Sequence, residues 1–369
     1  MSGRSVRAVV HLVWRGEIGG IERLVRDLVA QQIRDGLSVT VAFGQARGPF
    51  VGELREVGAR VLDLRLRSGW DLGLSRIRAG TAELRSADVL HLHGFNPAFA
   101  VLARRAGRPI VFTEHGNFGV ARTIRPREKF KRRLQRSFLK YWVAGLAANS
   151  EHTADRLGAV YGLDRSAVAV IHNGIDPSWL EAGMSVSHRN GTDVLRIAAV
   201  GRLVAVKRID RTISALAQAR NHDRMQLVVA GRGPMEEDLR LLAASLGIDS
   251  LVRFLGDRVS VAETLAVSDV LVHASESEAF GLAILEACAQ GALPIVFSDA
   301  GGALEVIPPD GVVVDGVAEL AALLDDLAHS PALAPGARRT RAAWVREQFP
   351  ISRTAEQYAE LYDMAAGGR

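Results

Sequence analysis

VLVHASESEAFGLAILEACAQGALPIV, residues 270–296, holds in one stretch the strand, turn, helix and second strand from which the architecture can be read. The run VLVHAS ends near Ser275, Phe280-Gly281 offers a backbone that a ligand can approach closely, and Ala283 to Ala289 are strong helix formers. PIVFSD then opens another strand, so the stretch reads as one turn of a parallel, helix-wound sheet. Glu278 and Glu286, with seven residues between them, fall at the two ends of the loop-to-helix turn. Both are expected to face the crevice beyond the strand ends, where α/β sheets bind ligands. Taken alone, the pair reads equally well as two solvated surface acids.

The same alternation extends outward in both directions. Before it come LRIAAVG, RIDRTISALAQA, MQLVVAG, MEEDLRLLAASLG and VRFLG, and after it GVVVD. The first half repeats the logic with AVVHLVW, GGIERLVRDLVAQQI, SVTVAFG, PFVGELREVG, RVLDLRL, ADVLHLH, PIVFTEH, AGLAANS and VAVIHNG. Residues 180–193 between the halves are polar, rich in Gly and Ser and without period, as a linker would be. The expected division is residues 1–180, residues 194–347, and a final helix over 348–369 beyond Pro350.

A chain of 369 residues with 48% apolar content is too long for one ordinary core and suits two domains of about 150–200 residues. Its one cysteine, Cys288, excludes an internal disulfide framework and a cysteine metal cage, and fits a reducing cytoplasm. No apolar run reaches the roughly 18 residues of a membrane span, and MSGRSVRAVVHLVW leads straight into a strand, so a cytoplasmic protein is expected.

Three loops carry candidate chemistry. VGRLVAVKRID places Arg202 and Lys207 between a strand and a helix, where two cations can neutralise a diphosphate. RGEIGGIER places Gly19 and Gly20 before a helix, so backbone N–H groups can face an anion. Neither this loop nor GRGPME at Gly231 completes the G-x-G-x-x-G dinucleotide pattern, which argues against an NAD enzyme. His91, His93 and His115 lie at strand ends and invite a zinc reading, but alternating strand positions serve core packing equally well. No D-x-D triplet occurs to hold a divalent cation against a diphosphate, so no metal is expected and Arg202 and Lys207 must serve in its place.

In order along the chain stand the GG loop, T-E-H-G at 113, H-N-G-I-D at 172, G-R-x-x-x-x-K at 201, A-G-x-G-P at 230, F-L-G at 254 and E-A-F-G-L-A-I-L-E-A at 278. This set resembles the retaining, nucleotide-sugar-dependent glycosyltransferases of the glycosyltransferase family 4 / group 1 type, built on two facing Rossmann-like domains, the GT-B fold. The resemblance covers nearly the whole chain. It implies an N-terminal acceptor domain, a C-terminal donor domain and a last helix that returns to the first. It also implies a UDP- or GDP-sugar donor without a metal or other cofactor. Glu286 would then hydrogen-bond the donor ribose, Glu278 the hexose hydroxyls and His115 the transferred sugar. Arg202 and Lys207 would hold the diphosphate, with Gly19, Gly20 and Gly231 beside it. Val252 and Phe254 would meet the base, and Phe280, Gly281 and Leu282 would orient the sugar through their N–H groups. Arg208 stands where the pattern commonly has glycine, which leaves the path of that loop open. Longer phosphorylase-type enzymes, a non-catalytic sugar-nucleotide sensor and a nucleic-acid binder are the rival readings. The last is disfavoured because the basic segment lacks interleaved stacking aromatics beyond Phe130 and Phe138.

The charge is uneven. Residues 121–140 carry nine Lys or Arg against the single Glu128, and this local +8 within a net +5 leaves the remainder near −3. At helical spacing Phe130, Leu134, Phe138, Tyr141 and Trp142 share one face, and Lys129, Arg132, Arg133, Arg136 and Lys140 the other. The segment reads either as a core-facing helix with a solvated basic side, or as a docking surface for an anionic membrane or a phosphate-bearing, lipid-linked acceptor. A soluble phosphorylated acceptor is a further reading.

Overall fold

The computed structural model describes residues 6–17, 19–116, 126–179, 194–256, 260–327, 330 and 333–368. The chain divides into two compact units, Met1–Gly174 with Ile351–Arg369, and Ile175–Pro350. The stretch read as a linker, 180–193, lies outside the described residues.

In the first unit, β1 (Ala8–Arg15), β2 (Ser38–Gln45), β3 (Arg60–Asp63), β4 (Val89–Leu92), β5 (Ile110–Glu114), β6 (Gly145–Ala148) and β7 (Val168–Val170) form a parallel sheet in the order 3-2-1-4-5-6-7. Between them run α1 (Gly20–Arg34), α2 (Phe50–Glu56), α3 (Leu74–Leu84), α4 (Pro97–Ala106), α5 (Pro126–Tyr141) and α6 (Glu151–Tyr161). Helices cover both faces, so every residue of β4, β5 and β6 is buried, as their unbroken apolar runs require. The strand order reverses between β1 and β4, where Val9, Val10, His11 and Leu12 pair with Val89, Leu90, His91 and Leu92. The run RVLDLRL is a strand only to Asp63. The Asp63 carboxylate accepts the Arg65 N–H at 2.9 Å, and Arg65 turns left-handed at φ 52°, which ends the ladder while Leu64 and Leu66 still reach the core.

The second unit repeats the plan with one strand fewer. β8 (Leu195–Val200), β9 (Met225–Ala230), β10 (Val252–Gly256), β11 (Val270–His273), β12 (Leu293–Phe297) and β13 (Val312–Val314) lie in the order 10-9-8-11-12-13, all parallel. Its helices are α7 (Ile209–Gln218), α8 (Glu236–Ser245), α9 (Val261–Ala266), α10 (Leu282–Ala289), α11 (Val317–Leu327) and α12 (Pro335–Gln348). Strand side chains alternate between two cores: Ile197, Val270 and Ile295 join Ile213 of α7 and Leu324 of α11, whereas Ala198, Leu271 and Val296 join Leu285 of α10 and Val345 of α12. Helix α10 is buried from Ile284 to Ala289 without a break, and burial pushes the Cys288 thiol up, consistent with a packed small hydrophobe.

The last helix, α13 (Ile351–Gly367), belongs to the first unit. Its buried residues, Ile351, Thr354, Ala355, Tyr358, Leu361, Tyr362 and Ala365, recur every three or four positions and make one stripe. Tyr358 and Tyr362 are fully covered, and Leu361 fills the space that the absent side chain of Gly145 leaves on β6.

Candidate active site

In the second unit, the loops beyond β8, β9 and β11 meet at the strand-order reversal. Gly201 N–H donates to Ala230 O at 3.0 Å, and Leu203 N–H to Arg232 O at 2.9 Å. A Cβ on Gly231 would overlap the Gly201 carbonyl and one on Gly233 the Leu203 carbonyl, so A-G-x-G-P owes its glycines to the close approach of these two loops. Arg202 is exposed and forms no ion pair among the described residues. Arg208 takes the left-handed conformation, φ 46° and ψ 39°, which explains why a glycine suits this position. Its guanidinium is tied to Asp210 at 3.1 Å and to Glu276 at 3.4 Å.

The loop carrying Glu278 is held by backbone bonds. Glu276 N–H donates to Val206 O, Ser277 N–H to Asp299 O and Glu278 N–H to Ala300 O, each at 2.9 Å, and Arg211 grips Asp299 with two bonds of 2.7 and 2.8 Å. The half-buried Glu278 carboxylate pairs with the Lys207 ammonium, and His273 Nε2 lies 3.5 Å from the same oxygen. Burial alone would raise the Glu278 carboxyl; the facing His273 ring and the Lys207 charge outweigh it and hold the group below the ordinary carboxylate range. Nothing in the motif pattern marks His273. The available signal is its place at the end of VLVH, matching that of His93 after LHL.

Gly281 adopts φ 92° and opens α10, whose first N–H groups, at Leu282 and Ala283, have no intrahelical acceptor. The Phe280 ring packs inward against Phe349, leaving only its backbone for a ligand. Glu286 is buried on the same helix, at 6% exposure. On edge strand β10 the Val252 side chain joins the core, and the Arg240 guanidinium covers the Phe254 ring at 4.4 Å.

In the first unit, Gly19 is the extended residue before α1 and Gly20 its first residue, with Glu22 of the first turn folded against Gly19. His91, His93 and His115 join a fourth histidine, His11 of β1, at the strand-order reversal. His11 Nδ1 and His93 Nε2 are 2.8 Å apart, and His93 Nδ1 and His115 Nε2 are 3.1 Å apart. His91 bonds to Tyr362 at 2.7 Å and to Thr113 at 2.8 Å. Ring nitrogens of His11, His91 and His93 lie within 4.8 Å of one another, close enough for a cation to be considered. Their spacing is that of hydrogen bonds among the rings and to Tyr362 and Thr113, which uses the nitrogens a metal would need.

A cavity of about 630 Å³ opens beside this cluster. Trp14, Trp70, Phe95 and Phe99 supply its aromatic walls, Arg15, Arg67 and Lys131 its cations, and Glu114 with His93 its buried polar groups. Asp71 braces the loop that bears Arg67 and Trp70, accepting the Arg67 N–H at 2.8 Å and two bonds from Arg76 at 2.7 and 3.0 Å.

Helix α5 is turned differently from the expected faces. Gln135, Phe138 and Leu139 are buried, whereas Phe130, Leu134, Tyr141 and Trp142 are exposed, at 54, 36, 69 and 41%. The helix meets the core along the stripe through 135, 138 and 139, roughly a quarter turn from the apolar face read from spacing. Phe130 stacks on Trp70 at 6.2 Å, and Arg104 covers Trp142 at 3.9 Å. Lys129, Arg133, Arg136 and Lys140 are exposed beside that apolar strip, and Arg132 is half-buried.

The profile described as Glycosyltransferase Family 4 matches residues 18–179, and that described as Glycosyl transferases group 1 matches residues 185–345. A D-inositol 3-phosphate glycosyltransferase of Actinosynnema mirum is 31% identical over 308 residues, covering 75% of this chain and 72% of the relative. An N-acetyl-alpha-D-glucosaminyl L-malate synthase of Bacillus anthracis is 34% identical over 165 residues, 42% of each chain. The chain spans about half the length of most other curated relatives it matches. Among solved structures, Anabaena Alr3699/HepE in complex with UDP and glucose superposes with a TM-score of 0.80 at 20% identity, over 96% of this chain and 98% of that one. That likeness carries the fold, two Rossmann-like domains of the GT-B type.

Proposed function

The chain belongs to the family 4 / group 1 glycosyltransferases, and from that premise we propose that it is a retaining hexosyltransferase. In this reading it moves a hexosyl group from a UDP- or GDP-sugar to a hydroxyl of a phosphate-bearing, lipid-linked acceptor, without a metal. The observation that carries it is the Lys207–Glu278–His273 constellation at the strand-order reversal, with the exposed Arg202 on the same loop system. Lys207 and Arg202 neutralise the diphosphate, and that stabilisation grows as the leaving group takes up charge. Glu278, kept ionised, accepts hydrogen bonds from hexose hydroxyls, and Glu286 accepts from the ribose. Neither carboxylate acts as nucleophile: the acceptor attacks on the face the leaving group vacates, and the departing diphosphate takes its proton.

The lipid-linked acceptor rests on α5, where an exposed strip of Phe130, Leu134 and Tyr141 runs beside Lys129, Arg133, Arg136 and Lys140, as on helices that lie at an anionic membrane surface. A soluble anionic acceptor is the second reading, favoured by the cavity with Arg15, Arg67 and Lys131, whose volume suits a small molecule. Relatives whose names specify inositol 3-phosphate and malate agree with an anionic acceptor in either case. The test is transfer from UDP- and GDP-hexoses to phosphate- and carboxylate-bearing alcohols in chelator, with early products read by proton NMR. An α-linked product from an α-linked donor is expected. A β-linked product, or activity only with added magnesium, refutes the reading.

A further inference from the structure

We propose that Gln32, His11 and His93 are positioning residues that fix the tautomer of His115, so that its Nδ1 is presented as a hydrogen-bond acceptor to a substrate hydroxyl. The proposal rests on the reading that His115 meets the transferred sugar. Gln32 of α1 donates its amide N–H to the Tyr362 hydroxyl of α13 at 3.2 Å, which leaves its carbonyl oxygen for His11 Nε2 at 2.8 Å. With the amide in this orientation His11 carries its proton on Nε2, and its Nδ1 accepts. His93 meets that nitrogen through Nε2 at 2.8 Å, so it donates there and keeps a bare Nδ1. His115 Nε2, 3.1 Å from His93 Nδ1, donates in turn. Each bond dictates the next, and the last free position is a lone pair on His115 Nδ1. Among the described residues no hydrogen bond reaches that atom.

Two further observations support a directed chain. His11 is completely buried, whereas His93 and His115 are 7 and 8% exposed, so the far end of the chain lies nearer the surface than its anchored end. Burial holds all four rings neutral at neutral pH, lowering His11 and His115 to about 4 and His91 and His93 well below their ordinary value; each ring then has one proton and one lone pair to orient. A side branch steadies the anchor: Tyr362 also meets His91 at 2.7 Å, His91 meets Thr113 at 2.8 Å, and Thr113 meets Tyr358 at 3.0 Å. Both tyrosines come from α13, so the last helix of the chain holds the amide that sets the direction.

The experiment reads tautomers from long-range proton–nitrogen correlation spectra of the full chain labelled with ¹⁵N-histidine, with His11, His93 and His115 assigned by single substitutions. Wild type is expected to show all three as neutral Nε2–H rings without substrate. Gln32→Met should scramble that pattern and lower kcat roughly tenfold at unchanged donor KM. Gln32→Glu, which keeps an acceptor facing His11, should preserve the tautomers and recover most of the lost kcat. An Nδ1–H tautomer at His115 in wild type overturns the proposal even if Gln32→Met does not fold, and wild-type tautomers with full kcat in Gln32→Met overturn it as well. Because the spectra need no turnover, the expected tautomers in a protein that transfers no sugar would reject the functional reading and leave the relay standing.

Discussion

Exchanging Lys207 for methionine, and separately Glu278 for glutamine, separates two tasks that the ion pair combines. In the structure the Lys207 ammonium and the Glu278 carboxylate are 23 and 20% exposed and hold one another, with His273 3.5 Å from the same oxygen. A diphosphate that takes Lys207 competes with Glu278 for it. A charge-assisted hydrogen bond contributes about 1.5–3 kcal/mol, so Lys207→Met should weaken nucleoside diphosphate binding by about 10- to 150-fold. Glu278→Gln removes the competitor and should leave binding unchanged or tighter while transfer falls. Calorimetric titration with UDP and GDP at fixed salt measures both. Equal weakening in the two variants would refute the idea that Lys207 serves phosphate and Glu278 serves sugar. A pH dependence accompanies it. A carboxyl held low stabilises the fold above its unfolded value of about 4.3 and loses that contribution progressively as pH falls from there to the lower folded value. Wild type should thus lose little from this group between about pH 7 and 4. Lys207→Met removes one of the groups that hold the carboxyl low, so its folded value rises toward the unfolded one and the stability lost on acidification shrinks. Urea denaturation curves whose midpoints fall in parallel for the two proteins below about pH 4 would contradict the assigned shift.

Glu286→Ala should raise donor KM, whereas His115→Ala should mainly lower kcat, and steady-state kinetics with equal, purely thermal losses in both would remove their assigned roles. Gly231→Ala forces a Cβ onto the Gly201 carbonyl at φ 139° and should destabilise the protein by about 2–3 kcal/mol, read as a lowered urea midpoint at unchanged slope. Reversing Arg133, Arg136 and Lys140 to Glu removes exposed cations that contribute about 1 kcal/mol each at an anionic surface. Sedimentation with anionic vesicles should be salt-sensitive in wild type and absent in this variant; wild type that ignores such vesicles at low salt makes the soluble acceptor the better reading.

The doubly wound plan of both halves was legible in the sequence because a parallel strand buried on both faces and a helix of strong formers each leave a local signature, as in residues 270–296. The return helix was legible from its resemblance to the family. Local chemistry also marked the loops: a strand end, a glycine and a basic residue lie within a few positions of one another around Arg202, Lys207 and Glu278. What these residues touch was decided only in three dimensions. Lys207 and Glu278 are 71 residues apart and meet because strand order 8-11 lays their loops side by side; the same topology aims the unmarked His273 at the pair. His11 stands opposite His91 because β1 and β4 are neighbours across the reversal, and no spacing within either segment carries that pairing. The rotation of α5 followed the same rule. Helical period names residues that share a face, but the neighbours on which a helix comes to rest choose which face is buried, and here they chose Gln135, Phe138 and Leu139 and left Phe130, Leu134 and Tyr141 exposed.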